Sequence, residues 1–280
     1  AGRAIRQRIP MPMPRSHPTT TAIRTARAPW RWAVIGACMG SVAAFVAYAP
    51  AYWLAQGLAW ATQDQLQLRE PRGTVWNGSA QWVLTGGKAS RDQMALPGRV
   101  DWTLRPGFTG LAMRWNADCC MATPLPIHIQ PHWGGATITL ATHESRWPAA
   151  LLSGLGTPWN TIQAQGQLLL KTRDLSLALN AGRLQVQGGA DLDAMAVTSR
   201  LSTIQPLGSY RVQIQGGDMT TLQLSTLDGA LQLQGKGQWI GQRLRFQGEA
   251  WAAEGREAAL ANLLTMIGQR NGKRVLLSVG

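Results

Sequence analysis

Tyr210-Arg211-Val212-Gln213-Ile214-Gln215 stops at Gly216-Gly217, resumes as Leu222-Gln223-Leu224, stops at Asp228-Gly229, and resumes as Leu231-Gln232-Leu233-Gln234 before Gly235. Successive side chains of a strand point to opposite faces, so this period of two predicts half-buried strands joined by glycine turns. The same grammar runs upstream. Gly166-Gln167-Leu168-Leu169-Leu170-Lys171, Leu175-Ser176-Leu177-Ala178-Leu179 and Leu184-Gln185-Val186-Gln187 lead to a turn expected at Gly188-Gly189. Leu66-Gln67-Leu68-Arg69, Gly73-Thr74-Val75-Trp76, Gln81-Trp82-Val83-Leu84 and Gly98-Arg99-Val100-Asp101-Trp102-Thr103-Leu104-Arg105 extend it towards the N-terminus. The fold class is therefore mainly β, a repetitive antiparallel meander or curved sheet. Leucine opposite glutamine makes one face apolar and the other uncharged but hydrogen-bonding.

Burying one leucine is worth roughly 1.5–3 kcal/mol, so the leucine face must be covered. A closed sandwich is the ordinary solution, and an open curved sheet that takes acyl chains is the alternative. Helix is expected in two short pieces. One is a brief turn over 145–152, with Pro148 in its first turn. The other is an amphipathic helix in which Leu260, Leu263, Leu264 and Ile267 share one face and Gly268 caps the end. Val275-Leu276-Leu277 returns as a strand.

The N-terminal region obeys different rules. Seven arginines (Arg3, Arg6, Arg8, Arg15, Arg24, Arg27 and Arg31) fall in the first 31 residues with no Asp or Glu among them. Of the net charge of +13 (27 basic minus 14 acidic residues), these seven leave +6 for the remainder. From Trp32 to Pro50 no residue is charged, which predicts one membrane-crossing helix. The flanking arginines put the N-terminus in the cytoplasm. Because the basic tail abuts an apolar segment, membrane orientation is preferred over nucleic-acid binding, and no nucleic-acid partner is expected. A cleaved signal peptide, with Ala47-Tyr48-Ala49 as its processing site, is the rival reading. The expected organisation is a disordered basic tail over 1–30, a transmembrane helix over 31–52, a juxtamembrane linker over 53–64 and a periplasmic β domain over 65–280.

No catalytic motif closes. His143-Glu144 begins a zinc-protease pattern, but Trp147 stands where the second histidine belongs. Gly86-Gly87-Lys88 lacks the earlier glycine of a phosphate loop, and no G-x-S-x-G elbow occurs. Asp191 and Asp193 share a strand parity that suits a cation, although a solvated turn pair is the plainer reading. Cys119, Cys120, His128 and His132, with His143 in reserve, are metal-ligand types, but adjacent cysteines chelate one ion poorly. A vicinal disulfide between Cys119 and Cys120 in an oxidising compartment is the alternative, and two ordinary thiols a third. Cys38, in the membrane segment, reads as a small apolar side chain. No cofactor, metal or enzymatic activity is expected.

Leu68-Arg69-Glu70-Pro71-Arg72-Gly73-Thr74-Val75-Trp76-Asn77-Gly78 resembles the G-T-(V/L)-W-x-G motif of the type II secretion system protein N family, GspN. The likeness continues in Val100-Asp101-Trp102 through Pro106 and in Leu227-Asp228-Gly229. It implies an accessory component of the machine that exports folded proteins, held in the bacterial inner membrane with its C-terminal domain in the periplasm. The implied partners are other inner-membrane or periplasmic secretion subunits and membrane lipids. Gly73, Thr74, Val75, Trp76, Gly78, Trp102, Pro106, Asp228 and Gly229 become the family-motif and partner-binding candidates. A more distant similarity to AsmA-like envelope proteins implies lipid or glycolipid handling as the alternative function. Physically, the motif needs no chemistry. Glycine permits a turn or a close approach, and Trp76 and Trp102 read as a core plug or an edge anchor.

Overall fold

The computed structural model describes residues 30–88, 90–157, 159–180, 183–241 and 243–279. The expected tail lies outside them, apart from Trp30. The described residues divide into two units, with the boundary between Ala44 and Phe45. In chain order the helices are α1 (Trp30–Ala47), α2 (Ala51–Ala61), α3 (Trp159–Ile162) and α4 (Glu257–Ile267). The first eight strands are β1 (Leu66–Gly73), β2 (Asn77–Thr85), β3 (Gln93–Ala95), β4 (Val100–Gly107), β5 (Gly110–Ala117), β6 (Leu125–His132), β7 (Gly135–Leu140) and β8 (His143–Pro148). The remainder are β9 (Gln165–Asn180), β10 (Arg183–Thr198), β11 (Gly208–Gln215), β12 (Thr221–Gly229), β13 (Leu231–Ile240), β14 (Arg243–Ala252), β15 (Gln269–Asn271) and β16 (Arg274–Val279).

Helix α1 is the one described helix long and apolar enough to cross a membrane. None of its 18 residues is buried, and a Cβ at Gly36 or Gly40 would meet nothing within 4 Å. Most of the stretch read as a juxtamembrane linker is helical. After Pro50 the run AYWLAQGLAWA is rich in good helix formers and folds as α2. Ala51 and Ala55 are buried, with Leu54 and Leu58 packed beside them, and these small side chains let the helix lie close on β1. Thr62 ends the helix, its Oγ1 donating to Leu58 O (2.8 Å). Gln63 and Asp64 then reverse the chain through left-handed backbone, φ 53° and 65°.

The strands form one antiparallel sheet in the order β1-β2-β4-β5-β6-β7-β9-β10-β11-β12-β13-β14-β16-β15, with β3 added to β2 and β8 to β9. It is open, with β1 and β15 at its ends, so the closed sandwich is not the solution adopted. Short elements cover the apolar face in two places instead. The first cluster gathers Ala51 and Ala55 of α2, Leu68, Ala80, Val100, Trp102 and Leu151. The second seats Leu260 and Leu263 of α4 on Leu207, Tyr210 and Leu231. The leucine stripe read in the sequence is the face α4 buries. Its cap residue, Gly268, has extended backbone rather than a left-handed turn.

Strands β9 and β10 connect the two regions. Residues 167–172 of β9 pair with β8 and residues 175–180 with β7, so the two short strands lie end to end along one long edge. At the junction Asp174 takes φ 43°, and β10 answers with Gly188 at φ 79° and a register shift. Gly188-Gly189, expected as a turn, is therefore a bulge inside β10. Gly235 is likewise no turn. It lies within β13, where a Cβ would strike the Phe246 ring on β14. Both glycines answer to close cross-strand packing, which alternation alone does not reveal. The helix expected over 145–152 begins later, as a 3₁₀ turn over Ala149–Leu155. Residues 145–148 belong to β8, because β9 offers them an unpaired edge.

Candidate functional site

The motif residues build the turn between β1 and β2. Gly73, at φ 83°, pairs with Gly78, and a Cβ on it would sit 2.5 Å from Asn77 O. Thr74 closes the turn, its N–H donating to Asn77 O (2.9 Å) and its Oγ1 accepting from Asn77 N–H (3.1 Å). Val75 N–H donates to Ala49 O (2.9 Å), and Trp76 Nε1 donates to Val46 O (2.7 Å). Trp102, 1% exposed, stands opposite Gly78 on β4 and donates from Nε1 to Val75 O (3.1 Å). A Cβ at Gly78 would lie 2.6 Å from the Trp102 ring and 2.6 Å from Arg72 O. The spacing G-T-V-W-x-G thus describes a clasp. One tryptophan fills the core beneath the turn, and the other ties the turn to the last residues of α1.

The other motif residues stand apart from the clasp. Pro106 pairs with Leu111 near the end of β4, where it is exposed. Asp228 and Gly229 close β12. Gly229, at φ 133°, faces Gly208 so closely that a Cβ would meet its backbone. Here glycine serves backbone approach.

The metal candidates do not converge. Cys119 and Cys120 are bonded to each other in the β5–β6 connection, with Cα atoms 3.7 Å apart. The N–H groups of Cys120 and Met121 both donate to Ala117 O, and Arg146 N–H donates to Cys120 O (2.8 Å). His128 and His132 are exposed on β6, four residues apart along one strand and so about 13 Å from each other. Among the described residues no group of three or more His, Cys, Asp or Glu could hold a metal ion.

Asp191 and Asp193 are not a turn pair; both sit in mid-β10. Asp193, its side chain 6% exposed, accepts from Arg211 Nε (2.6 Å) and Nη2 (2.8 Å). Asp191 accepts from Arg173 (2.5 Å) and Gln213 (3.2 Å). The Arg211 hydrogen bonds hold the Asp193 carboxyl below its ordinary range, and the carboxylate in turn raises the Arg211 guanidinium. Such a ladder locks β10 to its two neighbours and leaves these carboxylates committed to arginine. Behind it Tyr210 is buried in the second cluster. Its hydroxyl has no hydrogen-bond partner, and burial pushes the phenol up.

An apolar cleft of about 240 Å³ opens where β2, β5, β6, β8 and β9 meet, walled by Trp82, Trp115, Trp147, Leu125, Ile127 and Leu170. Trp82 meets Trp115 and Trp147 edge-on, with ring centroids 5.6 and 5.2 Å away. Trp147 Nε1 donates to Ser145 Oγ (2.8 Å), and Thr172 Oγ1 donates to Ala141 O (2.8 Å). Trp82 Nε1 and His143 Nε2 are buried without a partner. A buried N–H left unpaired is costly, and a guest bearing an oxygen atom would satisfy it. Reading the sequence did not assemble this cleft. Its only signal was the excess of tryptophan, 13 against three each of Phe and Tyr.

Comparison with curated proteins finds no match, and neither does comparison with solved structures. The family model for "Type II secretion system (T2SS), protein N" matches residues 64–276, nearly the whole sheet and the clasp within it. This chain therefore belongs to the type II secretion system protein N family.

Proposed function

We propose that the chain is a non-enzymatic accessory subunit of type II secretion, held in the bacterial inner membrane by α1 with its N-terminus in the cytoplasm. Its β domain works in the periplasm, supporting assembly or stability of the envelope-spanning machine that exports folded proteins. The family match over residues 64–276 carries this reading. One apolar helix leading into a β domain, and the arginines before that helix, favour it. An oxidised Cys119–Cys120 pair suits an oxidising compartment. The domain acts by contact. Crosslinkers placed at exposed Trp60 and Met266 in intact membranes should capture secretion subunits, and deletion should block export. Capture of lipid alone, with export intact, refutes it.

The cleft beside Trp82 and His143 favours a second reading, lipid or glycolipid handling. An open sheet with an apolar recess and two unpartnered polar atoms suits an acyl chain with an oxygen-bearing head. Native mass spectrometry of the detergent-purified chain should then retain a lipid that Trp82→Ala releases. Retention unchanged by Trp82→Ala counts against this cleft.

A further inference from the structure

Strand pairing puts three chain reversals at one end of the sheet. Residues Val46 to Pro50, where the chain leaves α1, are tied to the β1–β2 turn through Val46 O, Ala49 O and the Pro50–Thr74 bridge. Leu104 N–H donates to Trp76 O, so that turn lies level with Leu104 on β4. From there β4 runs on to Gly107, and the hairpin tip carries Phe108 about 13 Å farther in the same direction. Gly107 faces Gly110, and the 111–129 pairing sets Gly110 level with Gln130. The β6–β7 tip, Trp133, therefore projects beyond Phe108 again. Phe108 and Trp133 are fully exposed.

A single solvent-facing aromatic needs no explanation, but Phe108 and Trp133 are the two most exposed large hydrophobic side chains among the described residues and share the end of the sheet where the chain leaves α1. Their surroundings are also one-signed. Residues 102–117 carry Arg105 and Arg114, and neither they nor residues 119–142 contain Asp or Glu; Asp101 and Asp118 lie at the other end of the β4–β5 pair, away from the tip. Arg72, exposed beside the β1–β2 turn, adds a further cation. Exposed aromatic tips with arginines set back along the strands behind them suit the boundary of an anionic bilayer, the rings among the headgroups and acyl ends and the cations on phosphate.

We propose that the β4–β5 and β6–β7 hairpins insert Phe108 and Trp133 into the surface of an anionic phospholipid bilayer, standing the sheet on the membrane in which α1 is anchored. The inference rests on the membrane reading of α1. Two contact points added to one covalent anchor restrict rocking of the domain, so the far end of the sheet is held at a defined height.

The test uses the full chain with Cys38→Ala, reconstituted in vesicles of phosphatidylethanolamine and phosphatidylglycerol. An environment-sensitive dye is attached at Phe108→Cys, at Trp133→Cys, or at Glu254→Cys on the opposite end of the sheet. Spin-labelled lipids should quench the dyes at 108 and 133 several-fold more than the dye at 254. Replacing phosphatidylglycerol by a neutral lipid, or combining Arg105→Gln with Arg114→Gln, should cut the difference at least twofold. Equal quenching at all three positions in chains that float with the vesicles overturns the proposal and leaves the anchor intact. Chains that fail to float overturn both. Quenching that ignores lipid charge and both arginines refutes the anionic surface. Photo-crosslinkers at 108 and 133 in whole cells that capture only protein assign the tips to a protein partner instead.

Discussion

Gly78→Ala should destabilise the chain by forcing a methyl group into the clasp. An ideal Cβ there lies 2.6 Å from Trp102 Cζ2, 2.6 Å from Arg72 O and 2.8 Å from Thr74 O, whereas carbon contacts settle near about 3.5–4.0 Å. Two of the three neighbours are backbone carbonyls of the turn itself and cannot rotate away. The third is a ring held by a buried hydrogen bond to Val75 O. Overpacking of this kind costs about 1–3 kcal/mol. Trp102→Ala removes the ring and should cost about 3–5 kcal/mol. In the double variant the ring clash vanishes but the carbonyl clashes persist. The two costs should thus fall short of additivity by about 1 kcal/mol, within the range measured for residues in contact. The assay is urea unfolding of the full chain in mild detergent, followed by far-ultraviolet circular dichroism. Its slope with denaturant should be unchanged, so that midpoints report stability. A wild-type midpoint for Gly78→Ala, or costs that add within about 0.3 kcal/mol, would refute the clasp as the reason for glycine in the motif.

Two further expectations concern titratable groups. Asp193→Asn leaves the Arg211 guanidinium without its anion. Arg211 is 40% exposed, and water offsets part of the loss, so the cost should be about 1–2 kcal/mol rather than that of a fully buried pair. A carboxyl held low in the folded state contributes stability above its ordinary pKa of about 3.9 and loses it as pH falls through the lowered value. The wild-type midpoint should therefore drop below about pH 4, and Asp193→Asn should lack that portion of the drop; identical acid limbs would refute the pairing. Tyr210→Phe deletes a buried hydroxyl that bonds to nothing, and should be neutral or stabilising by about 1 kcal/mol. Because burial raises the phenol, its contribution is complete below about pH 10 and is lost above it, so the Phe variant should resist alkali better. Destabilisation beyond about 1 kcal/mol at neutral pH would show that the hydroxyl has a partner.

What the sequence by itself determined was the material of the fold. Alternation in Tyr210–Gln215, Leu231–Gln234 and most of their upstream counterparts is a local property of the strand, and these segments are strands in one sheet. Gly73-Thr74-Val75-Trp76, read as a strand, instead ends β1 and makes the turn into β2. The stripe from Leu260 to Ile267 is equally local, and it forms α4. The G-T-V-W-x-G spacing also marked residues that meet, since Gly73 to Gly78 are neighbours in the chain. Only the tertiary structure decided what depends on pairing between distant residues. Gly188 and Gly235 look like turns until Asp174 and Phe246 stand beside them. Ser145 to Pro148 become strand because β9 lends an edge, and Asp191 and Asp193 lose their freedom to Arg173 and Arg211. The cleft of Trp82, Trp115 and Trp147 and the shared direction of Phe108 and Trp133 arise from register between strands. Periodicity tells each strand which way its side chains face, but not which partner lies opposite or where along that partner it sits.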